Sequence, residues 1–416
     1  MLKPITLLFI ITTATTQAQV VTQARLYIDT LTAPHLHGRG YVNDGINKTA
    51  NYITQQFGKI SNATVSTQTF ETTVNTFPNA MQIILGTDTL QAGKHYIVGG
   101  YSHSVKGTFP VMYLDKETFF NKKEYKKFIA NAPANYFMLI NANEYNAEER
   151  KKIVKEINDY RALAEGIIVL TNQKLTWGGS EFLTTTPVII IDKNHTPTIT
   201  ETITVAIDAE LQTNFKCRNI LAKIEGENND STILISAHYD HLGRMGKENY
   251  FPGANDNASG VAMLLCLANY YQSHKPKHTI YFVAFAGEEI GLLGSRFFVQ
   301  NPIINLLNIK QVINLDICGT GNEGITIVNA TSSPKLIRAL TTINTQQQLL
   351  PEIKTRPNTA NSDHYWFTTL GIPSVFIYTL GGSKAYHDIY DTSANLTLAK
   401  FEDLYQLILQ SINYKD

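Results

Sequence analysis

With 416 residues, the chain is long enough for two or three domains, and its 43% hydrophobic content allows a large core. The 35 basic and 35 acidic side chains give a formal net charge of +0, which argues against a nucleic-acid binder, because such proteins carry a basic excess. Three widely spaced cysteines, Cys217, Cys266 and Cys318, do not form a disulfide framework, although one disulfide between two of them stays open.

The first eighteen residues are typical of a secretory signal peptide. Lys3 supplies a positive charge, residues 5–11 are an apolar run, and small and polar residues follow up to Ala18. The apolar run is too short to cross a bilayer, and no later stretch is long and apolar enough to do so. We therefore predict a signal peptide at residues 1–18 and an exported protein, periplasmic or secreted, without a membrane span.

Residues 19–60 and 61–205 differ in composition and in predicted secondary structure. The first segment predicts a short helix, a glycine-rich loop and an amphipathic helix with apolar residues at helical spacing from Ile46 to Phe57. The second contains threonine-rich strands, a very polar helical stretch and a short buried strand at 166–170, with no candidate catalytic cluster. We predict that residues 19–60 begin the catalytic domain and that residues 61–205 are an inserted β-rich domain.

From residue 206 onward the pattern is that of an α/β domain. Short apolar runs predict buried strands at STILISAH, TIYFVAFAG, QVINLDICG and IPSVFIY. Helical patterns alternate with these runs, and the amphipathic segment TLAKFEDLYQLILQSI closes the chain. Such alternation predicts a mainly parallel central sheet with helices on both faces, formed by residues 206–416.

Acids and histidines follow these strands at the carboxyl ends, where ligands bind in open α/β sheets. The set comprises His238, Asp240, His241, Asp256, Glu288, Glu289, Asp316, His387, Asp388 and Asp391. One such acid alone is more often a helix cap or the partner of a lysine, but this set converges on one sheet edge. Without a cation the carboxylates would repel one another and shift toward protonation. Mixed histidine and carboxylate ligands suit zinc better than cobalt or manganese.

The set is large enough for two metal ions. We predict that His238 and Glu289 bind one ion, that Asp316 and His387 bind the other, and that Asp256 bridges them. Two ions about 3.5–4 Å apart are a standard device for hydrolysis.

Glu288 is then left over beside Glu289. Adjacent residues at a strand end point in different directions, so the two glutamates are expected to have different roles. We predict that Glu288 is the general base that accepts a proton from the attacking water.

The ordered motifs AHYDH, GANDNASG, FAGEEIGLLGS, NLDICG, SDHYWF, GIPSVFIY and YHDIYDT resemble the co-catalytic zinc aminopeptidases of the transferrin-receptor-like superfamily. The resemblance covers about residues 25–59 and 219–416. It implies two Zn²⁺ ions per chain, with the ligands His238, Asp256, Glu289, Asp316 and His387. It also implies Glu288 as general base and Asp240 as the acid that orients His238. Tyr386 matches a tyrosine that stabilises the oxyanion in some members, with a half-buried packing role as the alternative.

Many members of this family carry a protease-associated domain before the metal-binding part, and AEGIIVL at residues 164–170 is similar to part of that domain. For Ser362, Asp363 and His364 we expect hydrogen bonds around the site in place of metal binding. Asp391 is expected to cap its loop or to orient His387. The remaining residues of this kind are expected in solvent or at the surface: His35, His37, His241 and Asp388.

These observations predict a secreted zinc-dependent exopeptidase that releases N-terminal amino acids from peptides or proteins. A single-zinc glutaminyl cyclase, which forms N-terminal pyroglutamate on a similar fold, is one alternative, and a non-catalytic binding protein is the other. The unbroken GEEIGLLGS favours the peptidase over the cyclase, and the complete ligand set disfavours the binding protein. The sequence leaves open the preferred residue, the choice among aminopeptidase, carboxypeptidase and dipeptidase, and the oligomeric state.

Overall fold

A computed structural model describes residues 6–160, 164–195 and 201–414, of which residues 6–18, 154–160 and 195 are described as backbone only. The helices are α1 (Thr6–Leu31), α2 (Gly45–Gly58), α3 (Lys116–Phe120), α4 (Lys122–Ala130), α5 (Ala147–Tyr160), α6 (Gly260–Tyr270), α7 (Leu293–Gln300), α8 (Pro334–Gln347), α9 (His364–Thr369) and α10 (Phe401–Ile412). The strands up to residue 207 are β1 (Ala63–Thr76), β2 (Gln82–Leu85), β3 (Asp88–Leu90), β4 (Tyr96–Val98), β5 (Val105–Tyr113), β6 (Phe137–Asn141), β7 (Gly166–Thr171), β8 (Val188–Asp192) and β9 (Thr202–Ile207). The later strands are β10 (Glu210–Ile224), β11 (Asn228–His238), β12 (Gly243–Met245), β13 (Asn249–Phe251), β14 (His278–Phe285), β15 (Ile309–Leu315), β16 (Gly324–Val328), β17 (Ile353–Arg356) and β18 (Ser374–Leu380).

The larger part of the chain is organised around an eight-stranded sheet with the order β1-β10-β14-β11-β15-β18-β16-β17. The four strands predicted from sequence, β11, β14, β15 and β18, form its centre and run parallel to one another. The flanking strands β10 and β16 pair antiparallel with this central block. The predicted α/β fold with a mainly parallel centre is therefore confirmed.

Both faces of this sheet are covered by helices. On β11, Ile233 and Ile235 point into one core with residues of α1, α2, α6, α8 and α10. Leu234 points the other way, into a core with Phe298 of α7 and Phe367 of α9. A strand buried on both sides is apolar at most positions, which explains why the sequence shows nearly continuous apolar runs here.

A second eight-stranded sheet, with the order β3-β2-β9-β5-β6-β7-β8-β4, is built from strands between residues 82 and 207. Strand β1 lies inside the predicted insert, yet it pairs with β10 as an edge of the first sheet, in a register that ends with Thr76 opposite Glu210. The first sheet thus includes β1, which the predicted boundary at residue 61 assigns to the insert. The boundaries at residues 61 and 205 stay a prediction.

Of the predicted signal peptide, residues 1–5 lie outside the described residues, and residues 6–18 belong to the backbone of α1. Within the described part of the chain, no helix combines the length and the apolar character needed to cross a membrane. The thiols of Cys217, Cys266 and Cys318 are buried and free, so none of them forms the disulfide that the sequence left open.

Candidate metal centre

Five loops and strand ends bring the predicted ligands to one edge of the first sheet. His238 is the last residue of β11, Glu289 follows β14, and Asp316 directly follows β15. Asp256 lies in a helical turn at Ala254–Ser259 that precedes α6. His387 lies in the loop between β18 and α10. Because the central strands are parallel, their carboxyl ends meet at this edge.

The side chains form two histidine–carboxylate pairs that share Asp256. Nε2 of His238 lies 3.3 Å from Oδ1 of Asp256 and 3.3 Å from Oδ1 of Asp316. Nε2 of His387 lies 3.0 Å from Oδ2 of Asp256 and 3.1 Å from Oε2 of Glu289. These contacts differ from the predicted grouping of His238 with Glu289 and of Asp316 with His387, and which residues share a metal ion stays a prediction. The structure pairs His238 with Asp316 and His387 with Glu289, because β11 and β15 are neighbours in the sheet.

The donor atoms are close enough to hold metal ions. Ligand atoms of His238, Asp256 and Glu289 lie within 4.8 Å of one another, and so do those of His238, Glu288 and Asp316. Two buried and two partly buried carboxylates lie in this cleft, and a bound cation would offset the cost of enclosing their charges. Imidazole nitrogens with carboxylate oxygens are a donor set that suits zinc, so the residues present fit this metal.

The pKa values of the adjacent residues Glu288 and Glu289 are shifted in opposite directions. Burial raises the pKa of Glu288 well above its usual range, and the neighbouring Asp316 and Glu289 add to this effect. Burial also opposes ionisation of Glu289, but His387 and His241 outweigh it and lower the pKa of that carboxyl. The two carboxyl groups are thus in different electrostatic environments, and their different roles stay a prediction.

Asp240 is fully buried and fixes the segment that carries the two glutamates. Its carboxylate accepts hydrogen bonds from the backbone N–H of Glu288 at 3.1 Å and of Glu289 at 3.3 Å, and from the hydroxyl of Tyr41 at 3.2 Å. Its Oδ1 lies 3.8 Å from Nδ1 of His238, whereas its backbone oxygen lies 3.2 Å from that nitrogen. Asp240 therefore contacts His238 mainly through its backbone.

Asp391 and Arg39 hold the backbone of Asp256 from two sides. The carboxylate of Asp391 accepts hydrogen bonds from the N–H groups of Asn255 and Asp256, so the expectation that it orients His387 is wrong. The guanidinium of Arg39 is fully buried and donates to the carbonyl oxygens of Asp256, Gly253 and three other residues. Sequence reasoning missed Arg39, because one arginine in a glycine-rich loop carries no periodic signal.

A chain of hydrogen bonds positions Asp316. The hydroxyl of Ser362 donates to Oδ2 of Asp316 at 2.7 Å and accepts from the side-chain amide of Asn314 at 2.7 Å. The hydroxyl of Ser236 in turn donates to the amide oxygen of Asn314. The hydrogen bonds of Ser362 thus fit the role expected for it. The carboxylate of Asp363 instead accepts a hydrogen bond from the hydroxyl of Ser295.

Two residues expected in solvent are buried. His241 is fully buried with Nδ1 2.6 Å from Oε1 of Glu289, and among the described residues no partner faces its Nε2. Asp388 is buried and forms a 2.6 Å ion pair with Lys174. Both expectations are wrong, because the second sheet covers the loop that carries Asp388, while His241 packs behind a ligand.

The loop around His387 is held by the segment that follows β7 of the second sheet. Nδ1 of His387 lies 2.8 Å from the backbone oxygen of Trp177, and the N–H of Trp177 donates to the oxygen of His387 at 2.9 Å. Nζ of Lys174 donates to the backbone oxygens of Lys384 and Tyr386. The second sheet therefore fixes one of the histidines of the site.

The ligands line a cleft of about 340 Å³. Its other walls are formed by Ile317, Arg356, Asn361, Phe376, Tyr378 and Tyr386. The ring of Tyr386 stacks on that of His387 with centroids 4.0 Å apart, and the tyrosine is 45% exposed. Tyr386 thus borders the cleft beside His387 and is open to solvent.

The segment that carries this site matches a known protein family. Residues 219–412, which contain all five candidate ligands, match the model of peptidase family M28. This segment is a peptidase family M28 domain. The match confirms the resemblance drawn from the motifs, and the predicted class of enzyme, a metallopeptidase, agrees with it.

The relatives of the M28 domain share its fold or part of its sequence. A zinc aminopeptidase from Bacillus subtilis superposes with a TM-score of 0.70 at 20% identity, over 94% of this chain and 93% of that one. A probable zinc metalloprotease from Pyricularia oryzae is 41% identical over 114 residues, which are 26% of this chain and 23% of that protein. The chain thus spans less than a quarter of the length of this relative.

Another relative overturns the predicted location. A vacuolar membrane protease from Saccharomyces cerevisiae is 37% identical to the chain over 127 residues, which are 30% of this chain and 12% of that protein. Its name places it at a membrane inside the cell, so the prediction of a periplasmic or secreted protein is wrong. An apolar run near the N-terminus does not by itself specify a compartment.

Proposed function

We propose that this chain is a zinc-dependent exopeptidase that releases amino acids from the N-termini of peptides. The observation that carries this proposal is the pair of histidine–carboxylate groups, joined through the two oxygens of Asp256, beside Glu288 in one cleft. The family match and the names of the relatives support it.

Two zinc ions are proposed per chain. His238 and Asp316 would hold one, His387 and Glu289 the other, and Asp256 both. When bound, the ions would polarise the scissile carbonyl and lower the pKa of the attacking water. These roles rest on the distances between the side chains and on the chemistry of their donor atoms.

The chain's own groups would then move the proton and bind the substrate. The carboxylate of Glu288 would take a proton from the water and return it to the leaving amine. The hydroxyl of Tyr386 would donate a hydrogen bond to the oxyanion. Asp240 would keep Glu288 in place through the backbone hydrogen bond described above.

The second sheet is proposed to belong to a separable, protease-associated-like domain that supports the loop of His387. Its strands lie between residues 82 and 207 and form a core with Phe137, Ile168 and Ile203 at its centre. The contacts of Trp177 and Lys174 with the His387 loop give it a positioning role at the site.

A scan of aminoacyl p-nitroanilides, with and without a chelator, tests this function. We expect hydrolysis that is abolished by the chelator and restored by zinc, with two zinc ions per chain by elemental analysis. One zinc per chain with conversion of N-terminal glutamine to pyroglutamate would instead establish a glutaminyl cyclase. Zinc binding without turnover of any peptide or N-terminal glutamine would establish a binding protein.

A further inference from the structure

One wall of the cleft carries a cation that the proposed mechanism does not use. Arg356 lines the same cleft as His238 and Glu288, and its side chain is exposed. Among the residues that the structure describes, it is the one lysine or arginine in that lining. The cleft thus combines an acidic floor, where the metal ligands lie, with a separate positive group on its wall.

The sheet positions this guanidinium. Arg356 is the last residue of β17 and lies opposite Val328 of β16, which lies opposite Phe376 of β18. Residues opposite one another in neighbouring strands share a face of the sheet, so Arg356 and Phe376 belong to the same face. Nη1 of Arg356 donates a 3.1 Å hydrogen bond to the hydroxyl of Tyr378. The side chain is thereby held against the wall of the cleft.

Most of its hydrogen-bonding capacity stays free for a ligand. A guanidinium has five N–H donors, and within the described residues the one side-chain hydrogen bond of Arg356 is that to Tyr378. No carboxylate of the described residues lies within ion-pair distance of it. A planar fork of donors matches a carboxylate in two-point contact.

The surroundings match a substrate residue with an acidic group. Ile317 and Phe376 line the same cleft as Arg356 and offer apolar contact for methylene groups. A volume of about 340 Å³ is near the lower end of the usual range of about 300–1,000 Å³ for small-molecule sites, so the occupant is small. We infer that Arg356 forms a subsite that binds a carboxylate of the substrate.

This inference rests on the proposed function for the peptide nature of the substrate. The carboxylate has two sources in a peptide. It is either the side chain of an acidic N-terminal residue or the main-chain carboxylate at the end of a dipeptide. Both would place a negative charge within a residue or two of the scissile bond.

Turnover in matched variants separates the two sources. The variants are Arg356→Gln and, as the control, Lys354→Gln, which removes the same charge two residues earlier on β17, outside the cleft lining. One arm compares glutamyl with glutaminyl p-nitroanilide, and the other compares leucyl-glycine with leucyl-glycine amide. We expect Arg356→Gln to reduce the preference for the charged member of one pair about 10- to 100-fold, while Lys354→Gln leaves both preferences unchanged.

A binding measurement does not depend on turnover. Calorimetry on the zinc-loaded chain compares L-glutamate with L-glutamine, and L-leucine with L-leucinol. We expect the wild type to bind the carboxylate-bearing member of one pair more tightly, and Arg356→Gln to lose that difference. This readout distinguishes failure of the subsite from failure of the proposed peptidase.

The outcomes are distinct. Loss of the glutamyl preference places an acidic N-terminal residue in the subsite, and loss of the dipeptide preference places the terminal carboxylate there. Unchanged preferences and unchanged binding differences in Arg356→Gln overturn the inference, even if the chain hydrolyses peptides. Binding differences that depend on Arg356 in a chain that cleaves no peptide would sustain the subsite and overturn the proposed function.

Discussion

Asp391 holds the backbone of Asp256 across 135 residues of chain, with its Oδ2 accepting a 3.0 Å hydrogen bond from the N–H of Asp256. On the opposite side, the carbonyl oxygen of Asp256 accepts from Nη2 of Arg39 at 3.1 Å. The residue shared by the two histidine–carboxylate pairs is thus fixed through its main chain by two remote side chains.

Replacing Asp391 is expected to weaken zinc binding. Asp391→Ala removes all acceptors for the N–H groups of Asn255 and Asp256, and loss of such supporting groups typically reduces metal affinity about 10- to 100-fold. Asp391→Asn keeps one acceptor oxygen and is expected to lose less. Competition with a chromophoric chelator measures the affinity. The control is Asp403→Asn, which removes an acid paired with Lys400 on the surface of α10, and equal affinity in all variants would contradict the prediction.

Replacing Arg39 is expected to destabilise the zinc-free fold. Arg39→Met takes a charged donor from five buried carbonyl oxygens, of which that of Gly253 keeps the N–H of Ala258, and removing a buried charged partner costs about 3 to 5 kcal/mol. Urea unfolding in the presence of a chelator measures the change in the free energy of unfolding. Arg338→Met, at an exposed position of α8, is the control. A loss no larger than that of the control would show that the guanidinium does not support the loop.

The two adjacent glutamates are expected to separate turnover from metal binding. Glu288→Gln removes the proposed proton acceptor and is expected to reduce kcat about 10² to 10⁴-fold while keeping two zinc ions. Glu289→Gln removes the partner of His387 and is expected to lose one ion as well as activity. Elemental analysis measures the zinc content of both variants, and a turnover assay measures their activity. Loss of zinc from Glu288→Gln alone would show that Glu288 is a ligand, a role that its place beside His238 and Asp316 allows.

Removal of the second sheet is expected to affect one half of the metal centre. A deletion of residues 78–208 with a short turn keeps the β1–β10 pairing, whose last pair is Thr76 and Glu210. We expect a folded chain, judged by circular dichroism, that binds one zinc ion tightly, because His387 loses its contacts with Trp177.

A deletion of residues 61–205 is the matched comparison, because it also removes β1 from the edge of the first sheet. We expect this longer deletion to fold poorly. Two tightly bound ions in the shorter variant would show that the second sheet does not position His387. Failure of both variants to fold would show that the domain is not separable.

The sequence by itself determined the central strands and the acids that follow them. Residues 233–235 at the middle of β11 are apolar in succession, and such a run is visible locally because a strand covered on both faces has few positions for polar side chains. His238 and Asp316 stand directly at the ends of such runs. Their arrival at one edge follows from the parallel arrangement of the strands, which the alternation with helices predicts.

Only the tertiary structure decided which of these side chains meet. The grouping of His238 with Asp316 depends on β15 lying beside β11, and strand order is not encoded in any local pattern. The burial of Arg39 and the contact of Trp177 with His387 depend on segments remote in the chain packing against the site. Periodicity reports only which face of an element is apolar, whereas these contacts arise from the way whole elements pack together.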